Sequence, residues 1–408
     1  MEIVLTGNSP GELWGWINPL VQTIRKQEPK TTFFLFLLPC AYATGKEETI
    51  AREQIGIEQV YPPKTSLKYL FFGKKPDHFS PKNPILIHLG GDLFYAFLLA
   101  KKMKTKGYAY QWGEKRWDSA FKEYFVPHQG QKELLIRRKI PEKKIHVTGD
   151  LVLDAVELEN SRSQSLLIER KNHLISLYPG SRMAELKHIL PFYLRVVEIT
   201  KQNLPDACFY LSLSPFIEDE EIRFVIDKGK KHILESSSGI LVENENKKFI
   251  LTARGAEITV EKGYSYTLMK QSDCILTIPG TKCAEAGLLG TPMLVTLPTN
   301  RLEEIPYPGI PYLVEKIPLV GKLSKRLILL NYLPELRFTA QPNILAQELI
   351  VPELIGNLTP QMTSDALISL LKNTEKKEWI RKKLKTLYQH FKPGALEIFS
   401  RITESKNG

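Results

Sequence analysis

At 408 residues, 43% hydrophobic and 25% charged, the sequence has the make-up of a globular protein with room for two or three domains. A net charge of +11 suits nucleic acid, an anionic membrane or phosphorylated substrates. Lysine and arginine are scattered, however, with only short runs such as Lys101-Lys102-Met103-Lys104, and there is no zinc-finger spacing or RNA-recognition signature, which argues against nucleic acid. Cys40, Cys208, Cys274 and Cys283 lack metal spacing and read as reduced packing residues. No signal-peptide pattern opens the sequence and no stretch reaches the ~20 apolar residues of a membrane span, so the expected location is the cytosol.

Ile3-Val4-Leu5-Thr6 predicts a first strand, Gly7-Asn8-Ser9-Pro10-Gly11-Glu12 its turn, and Leu13, Trp14, Ile17, Leu20, Val21 and Ile24 the apolar stripe of a helix. Strand, glycine turn and helix open a Rossmann-like domain, but the spacing is not that of a dinucleotide fingerprint. Thr32–Leu38 predicts a buried strand. Ser66–Lys75 joins Leu70, Phe71 and Phe72 to Lys68, Lys74 and Lys75: either a membrane contact or a core helix with snorkelling lysines. Pro84–Leu89 is a strand that ends in Gly90-Gly91-Asp92. Asp92 stands at a strand's C-terminal edge, where it can cap the next helix, serve as an acid facing a ligand, or both. Strands at 107–112 and 121–126 follow, a first domain closes near residue 160, and the polar stretch Glu157–Lys171 predicts a link.

The second domain is expected over 172–375. Its strand Leu174–Leu177 leads into Tyr178-Pro179-Gly180-Ser181-Arg182-Met183-Ala184-Glu185. Here Gly180 lets the backbone approach an anion, Ser181 can cap the helix, and Arg182 can hold a phosphate with two hydrogen bonds; the bland alternative is an ordinary turn with a surface arginine. A hairpin is expected at about 239–253. A second strand, Cys274–Ile278, runs into Pro279-Gly280-Thr281, with Glu285 in the following helix as a ribose ligand or a favourable first-turn charge. Arg301–Val320 reads as a proline-rich loop and Leu327–Tyr332 as helical. Thr359 should cap a helix, and helices fill 376–408.

Three spaced motifs carry a family resemblance. They are Pro179-Gly180-Ser181-Arg182 with Glu185, Gly280-Thr281 with Glu285 and Leu289-Gly290-Thr291-Pro292, and Pro342-Asn343-Ile344-Leu345-Ala346 with Ile350-Val351-Pro352-Glu353-Leu354. In that order they resemble the lipid-A-disaccharide synthases. The resemblance implies an α/β protein of GT-B architecture: two Rossmann-like domains facing across a cleft, with helices 376–408 crossing back to a first domain of residues 1–160. It implies an inverting hexosyltransferase that takes an acylated glucosamine from a UDP-sugar donor to a lipid-linked sugar phosphate. Asp92 would be the general base, with Gly180, Ser181, Arg182, Gly280, Thr281, Glu285 and Asn343 at the donor, and Gly7, Gly11 and Glu12 in the N-terminal loop. Leu70, Phe71 and Phe72 would touch an anionic membrane from its inner face. No cofactor or metal is expected. The hairpin at 239–253 is an insertion relative to the family. Departures fall on the acceptor side: Asn8, Pro10, Phe94-Tyr95-Ala96 after Asp92, and Asp150. They leave open a paralogue with another lipid or glycan acceptor, or a non-catalytic nucleotide-sugar-binding protein.

Overall fold

The computed structural model describes residues 1–40, 43–162, 168, 173–215, 217–227, 234–244, 247–263, 265–300 and 337–407. The expected loop at 301–320 and helix at 327–332 lie outside them. The chain forms two compact units, one of Met1–Arg162 with His390–Gly408, the other of Ser163–Gln389.

The first unit is built on seven strands: β1 (Glu2–Gly7), β2 (Thr32–Leu37), β3 (Gln59–Tyr61), β4 (Ile85–His88), β5 (Gly107–Tyr110), β6 (Phe121–Val126) and β7 (Ile145–Val147). All pair in parallel, in the order β3-β2-β1-β4-β5-β6-β7. Near-continuous apolar sequence is what a parallel strand covered on both faces requires, and Phe33 to Leu37 are all buried. The order reverses between β1 and β4, the switch point at which open α/β sheets hold ligands.

The helix Pro63–Phe72 packs on this sheet with Ser66 and Leu70 buried one turn apart. Phe79 locks it there, its ring 5.5 Å from Phe34, 5.0 Å from Phe36 and 5.5 Å from Tyr69. Leu70 is therefore a core residue, a correction to the expected Leu70-Phe71-Phe72 surface trio. Phe71 and Phe72, at 52% and 77% exposure, alone face outwards.

The first unit is completed from far along the sequence. The helix Leu151–Arg162 absorbs the start of the expected link, and Asp150 opens it by accepting from Val152 N–H at 2.9 Å. The helix Ala395–Asn407 packs on the helix Asn18–Gln27. Its entry is fixed by Asp154, whose Oδ2 accepts from the N–H groups of Gly394 (2.6 Å) and Ala395 (3.1 Å). Gly149 faces this segment backbone to backbone: at φ +120° a side chain there would meet the Lys392 and Pro393 carbonyl oxygens at 2.5 and 2.6 Å. The return begins at His390. The helix Thr374–Tyr388 belongs to the second unit and packs against the helices Thr281–Leu288 and Pro360–Lys372.

The second unit carries β8 (His173–Tyr178), β9 (Ala207–Leu213), β10 (Gly239–Glu243), β11 (Lys248–Thr252), β12 (Glu257–Lys262), β13 (Cys274–Thr277), β14 (Met293–Pro298) and β15 (Glu353–Gly356). They are ordered β10-β11-β12-β9-β8-β13-β14-β15. The expected hairpin is present as antiparallel β10 and β11, and β12 joins it to the parallel strands. Asp219 pins it by bonding the ammonium groups of both Lys248 and Lys262. The switch point falls between β8 and β13.

Asp154→Ala removes the only side chain seen capping the Ala395 helix among the described residues. It should destabilise the first unit by about 1–2 kcal/mol, or roughly 2–6 °C in Tm, with Asp154→Asn, which keeps an acceptor, milder. Scanning calorimetry checks this, and equal Tm values for wild type and Asp154→Ala would refute the capping role.

Candidate functional site

At the first unit's switch point, two turns lie side by side. Ser9 caps the helical turn after β1, its hydroxyl accepting from Glu12 N–H at 3.4 Å. Glu12 then points back across the strand ends: Oε2 accepts from Asn8 N–H at 2.8 Å and Oε1 from Gly91 N–H at 3.3 Å. Gly90 is pressed against this carboxyl so closely that any side chain there would overlap it. One carboxyl thus braces the β1 turn to the Gly90-Gly91-Asp92 turn. Burial pushes it up to about 7, against the lowering pull of the Asn8, Gly91 and Ser9 backbone groups.

Asp92 follows directly. It is the N-cap of the helix Leu93–Met103, Oδ1 accepting from Phe94 N–H at 2.8 Å, and it is exposed. A carboxylate offers more lone pairs than this cap uses, so it can also accept a proton from a ligand. Gly7 ends β1, and Gly11 lies exposed in the turn. Sequence reasoning passed over His88, buried beneath Asp92's turn. Its Nδ1 lies 2.7 Å from Thr6 Oγ1, and burial holds it neutral, pushing its pKa down to about 3. A lone polar residue in the apolar run of β4 was the available signal.

At the second unit's switch point the arrangement is basic. Register places Tyr178 opposite Thr277, so the turns that follow β8 and β13 emerge next to each other. Gly180 sits at φ +104° with Glu185 packed against it, leaving no room for a side chain. Ser181 does not cap the helix: Arg182 takes the N-cap position of Met183–Asn203 with no side-chain cap. Arg182 is held by Glu185, Nη1 to Oε1 at 2.7 Å. Glu285 is buried and bonded to Lys282 Nζ at 2.6 Å, and Gly280 and Thr281 lie exposed at the start of its helix. Sequence reasoning used the Gly, Thr and Glu of this turn and overlooked Lys282.

Asn343 has a different role from the expected ligand contact. It is fully buried, its Nδ2 donates to Val351 O (2.8 Å) and Glu353 Oε1 (2.6 Å), and its Oδ1 accepts from the N–H groups of Ile350 (2.8 Å) and Val351 (2.9 Å). Two donors and two acceptors exhaust a carboxamide, so Asn343 braces the approach to β15.

The family model for lipid-A-disaccharide synthetase matches residues 241–403. A lipid-A-disaccharide synthase of Methylobacillus flagellatus is 21% identical over 90% of this chain and 89% of its own length. Those of Alteromonas mediterranea and Geobacter metallireducens are 28% and 25% identical over 52% of this chain. The chain is similar to the lipid-A-disaccharide synthases, at low identity. It spans under half the length of the Alteromonas and Geobacter relatives, 46% and 43%. Among solved structures, the UDP-GlcNAc 2-epimerase of Neisseria meningitidis bound to UDP-GlcNAc superposes with TM-score 0.60 at 15% identity, covering 99% of this chain and 100% of that one. Spinosyn rhamnosyltransferase SpnG complexed with thymidine diphosphate gives TM-score 0.53 at 10% identity, covering 98% and 99%. These likenesses are of fold, and the fold is of GT-B type.

Glu12 makes folding pH-dependent. Its folded pKa lies above the usual 4.5, so its contribution to stability is fully present below about pH 4.5 and is lost as the pH rises through about 7. Unfolding free energies measured from pH 5 to 8 should fall by on the order of 1–3 kcal/mol on its account, and Glu12→Gln should flatten that fall. An unaltered pH slope in the variant would show that Glu12 ionises normally.

Proposed function

We propose that this chain is an inverting glycosyltransferase of the lipid-A-disaccharide-synthase kind. It takes an acylated glucosamine from a UDP donor and passes it to a lipid-linked sugar phosphate. The observation that carries this is the pairing of chemistry with topology. One switch point presents an exposed carboxylate, Asp92, and the other presents Arg182 on a glycine turn that fits an anion.

In this reading Asp92 takes the proton of the acceptor's hydroxyl as that oxygen attacks the anomeric carbon. The bond from that carbon to the UDP oxygen breaks on the opposite face, which inverts the centre, and UDP leaves with the electron pair. Arg182 and the N–H groups of the Gly180 and Gly280 turns stabilise the charge that gathers on the diphosphate. Glu285 is placed to meet the ribose diol. Glu12 acts on the reaction indirectly, by fixing the turn that carries Asp92.

The acylated substrates call for a lipid surface. No helix among the described residues is long and apolar enough to cross a membrane. Phe71 and Phe72 stand out beside Lys68, Lys74 and Lys75, all exposed. Lys102 comes to the same spot, Nζ within 3.6 Å of where a side chain on Gly73 would begin. Two aromatic rings ringed by ammonium groups suit an anionic interface. This patch lies at the C-terminal ends of its helices, and Asp92 lies at the N-terminal end of Leu93–Met103, about 15 Å away along the helix axis.

Incubation with an acylated UDP-glucosamine and its monosaccharide lipid product should release UDP, and Asp92→Ala should reduce the rate by about 10²-fold or more with UDP binding kept. Wild-type enzyme that binds UDP yet releases none with lipid sugars would point to the non-catalytic binder. On vesicles, replacing both Phe71 and Phe72 by Ser should weaken sedimentation with anionic lipid at least tenfold. Equal sedimentation would remove the patch from the membrane reading.

A further inference from the structure

The turns at Gly180 and Gly280 are two copies of one heptapeptide. Pro179-Gly180-Ser181-Arg182-Met183-Ala184-Glu185 and Pro279-Gly280-Thr281-Lys282-Cys283-Ala284-Glu285 share Pro-Gly, a hydroxyl residue, a cation, and Ala-Glu. The structure gives both copies the same ion pair, although the helix begins at Thr281 in the second copy and only at Met183 in the first. Each follows a strand on one side of the switch between β8 and β13. In each, the cation is tied to the glutamate three residues on: Arg182 to Glu185 at 2.7 Å, Lys282 to Glu285 at 2.6 Å. The acids are nearly buried, while both cations keep 32% of their side chains open to solvent.

Lys282 also leans towards the neighbouring turn. Its Nζ accompanies Ser265 Oγ at 3.1 Å and lies 5.8 Å from the centre of the Tyr178 ring. Tyr178 is the residue from which the Arg182 turn departs, and its hydroxyl donates to Ser265 O at 2.9 Å. Strand ends about 4.8 Å apart thus carry two cations towards one region. Each is restrained by its own glutamate, and each has ammonium or guanidinium protons beyond that bond. An anion with two linked charged groups offers each of these cations a further acceptor.

We propose that Lys282 is a second diphosphate-contacting residue, paired with Arg182, so that the departing diphosphate is held by one cation from each copy of the repeat. Lys282 then has two partners in turn. Without ligand it neutralises the buried Glu285. With ligand it donates to the diphosphate while Glu285 turns to the ribose, so that the ion pair seen here is the resting form of the site. This rests on the UDP-donor reading above, and the test separates the two.

UDP affinity is measured by calorimetry at low and high salt for wild type, Lys282→Met and Lys282→Arg, with melting temperatures to establish folding. Loss of one charge-assisted bond should weaken UDP about tenfold in Lys282→Met. The gap should narrow at high salt, and Lys282→Arg should recover most of the affinity. If folded Lys282→Met binds UDP as tightly as wild type, Lys282 does not touch the diphosphate, and the donor reading stands. A loss that salt leaves unchanged, or that Lys282→Arg fails to recover, would assign Lys282 to shaping the pocket and overturn the inference. Wild type that does not bind UDP at all would instead strike the donor reading itself.

Discussion

Acidic side chains at the C-terminal ends of parallel strands hold both halves of this protein in working order. A parallel sheet delivers its turns to one edge, where backbone N–H groups have no strand to bond. Glu12 accepts from two neighbouring turns in the first unit. In the second, Glu185 and Glu285 fasten their cations beside the ends of β8 and β13, and Glu353, at the opposite, N-terminal end of β15, gathers the N–H groups of Thr339 and Ala340 together with Asn343. A buried carboxylate is costly unless its lone pairs are used. The cost is met differently at each place. Glu285 has an ammonium group against it, whereas Glu12 accepts from the neutral N–H groups of Asn8 and Gly91, and burial drives its carboxyl up to about 7. The Glu12 carboxyl is therefore poised near a change of state at neutral pH.

The two switch points also divide the chemistry. The first offers an exposed Asp92 on a turn whose geometry depends on Glu12 and on two glycines with no space for a side chain or with left-handed backbone. The second offers cations at the starts of two helices. The glycosyl transfer proposed above needs these two kinds of chemistry: one group that removes a proton, one that receives negative charge. The exposed aromatic patch sits beside the far end of the helix that Asp92 begins, so the proposed lipid contact and the proposed base lie at opposite ends of one element.

Much of the fold was legible because its strands are short apolar runs punctuated by glycine turns, a pattern that parallel burial imposes. Thr32–Leu37, Cys274–Thr277 and the hairpin strands at 239–243 and 248–252 could be read directly. What escaped depends on contacts between distant residues. Leu70 and Phe71 are neighbours in sequence, but a helix turns them about 100° apart, so one joined the core and the other did not. Asn343 was read as a ligand contact from the resemblance of its motif; its bonds to Val351 and Glu353 exist only once β15 is in place. Ser181 precedes its helix by one residue more than a cap requires. Lys282 was legible in principle, since it stands in a repeat, but a repeat of seven residues across a hundred is invisible to a reading that takes each turn by itself.

The close approach of Gly149 to the backbone at Lys392 and Pro393 bears on how the molecule is made. The first unit begins at Met1, yet the helix that covers Asn18–Gln27 is synthesised only after the whole second unit. During translation the early sheet must wait with that flank bare while the second unit gathers itself, and the docking of Ala395–Asn407 is the event that closes it. Assembly thus runs inside-out with respect to sequence: the half that begins first is finished last.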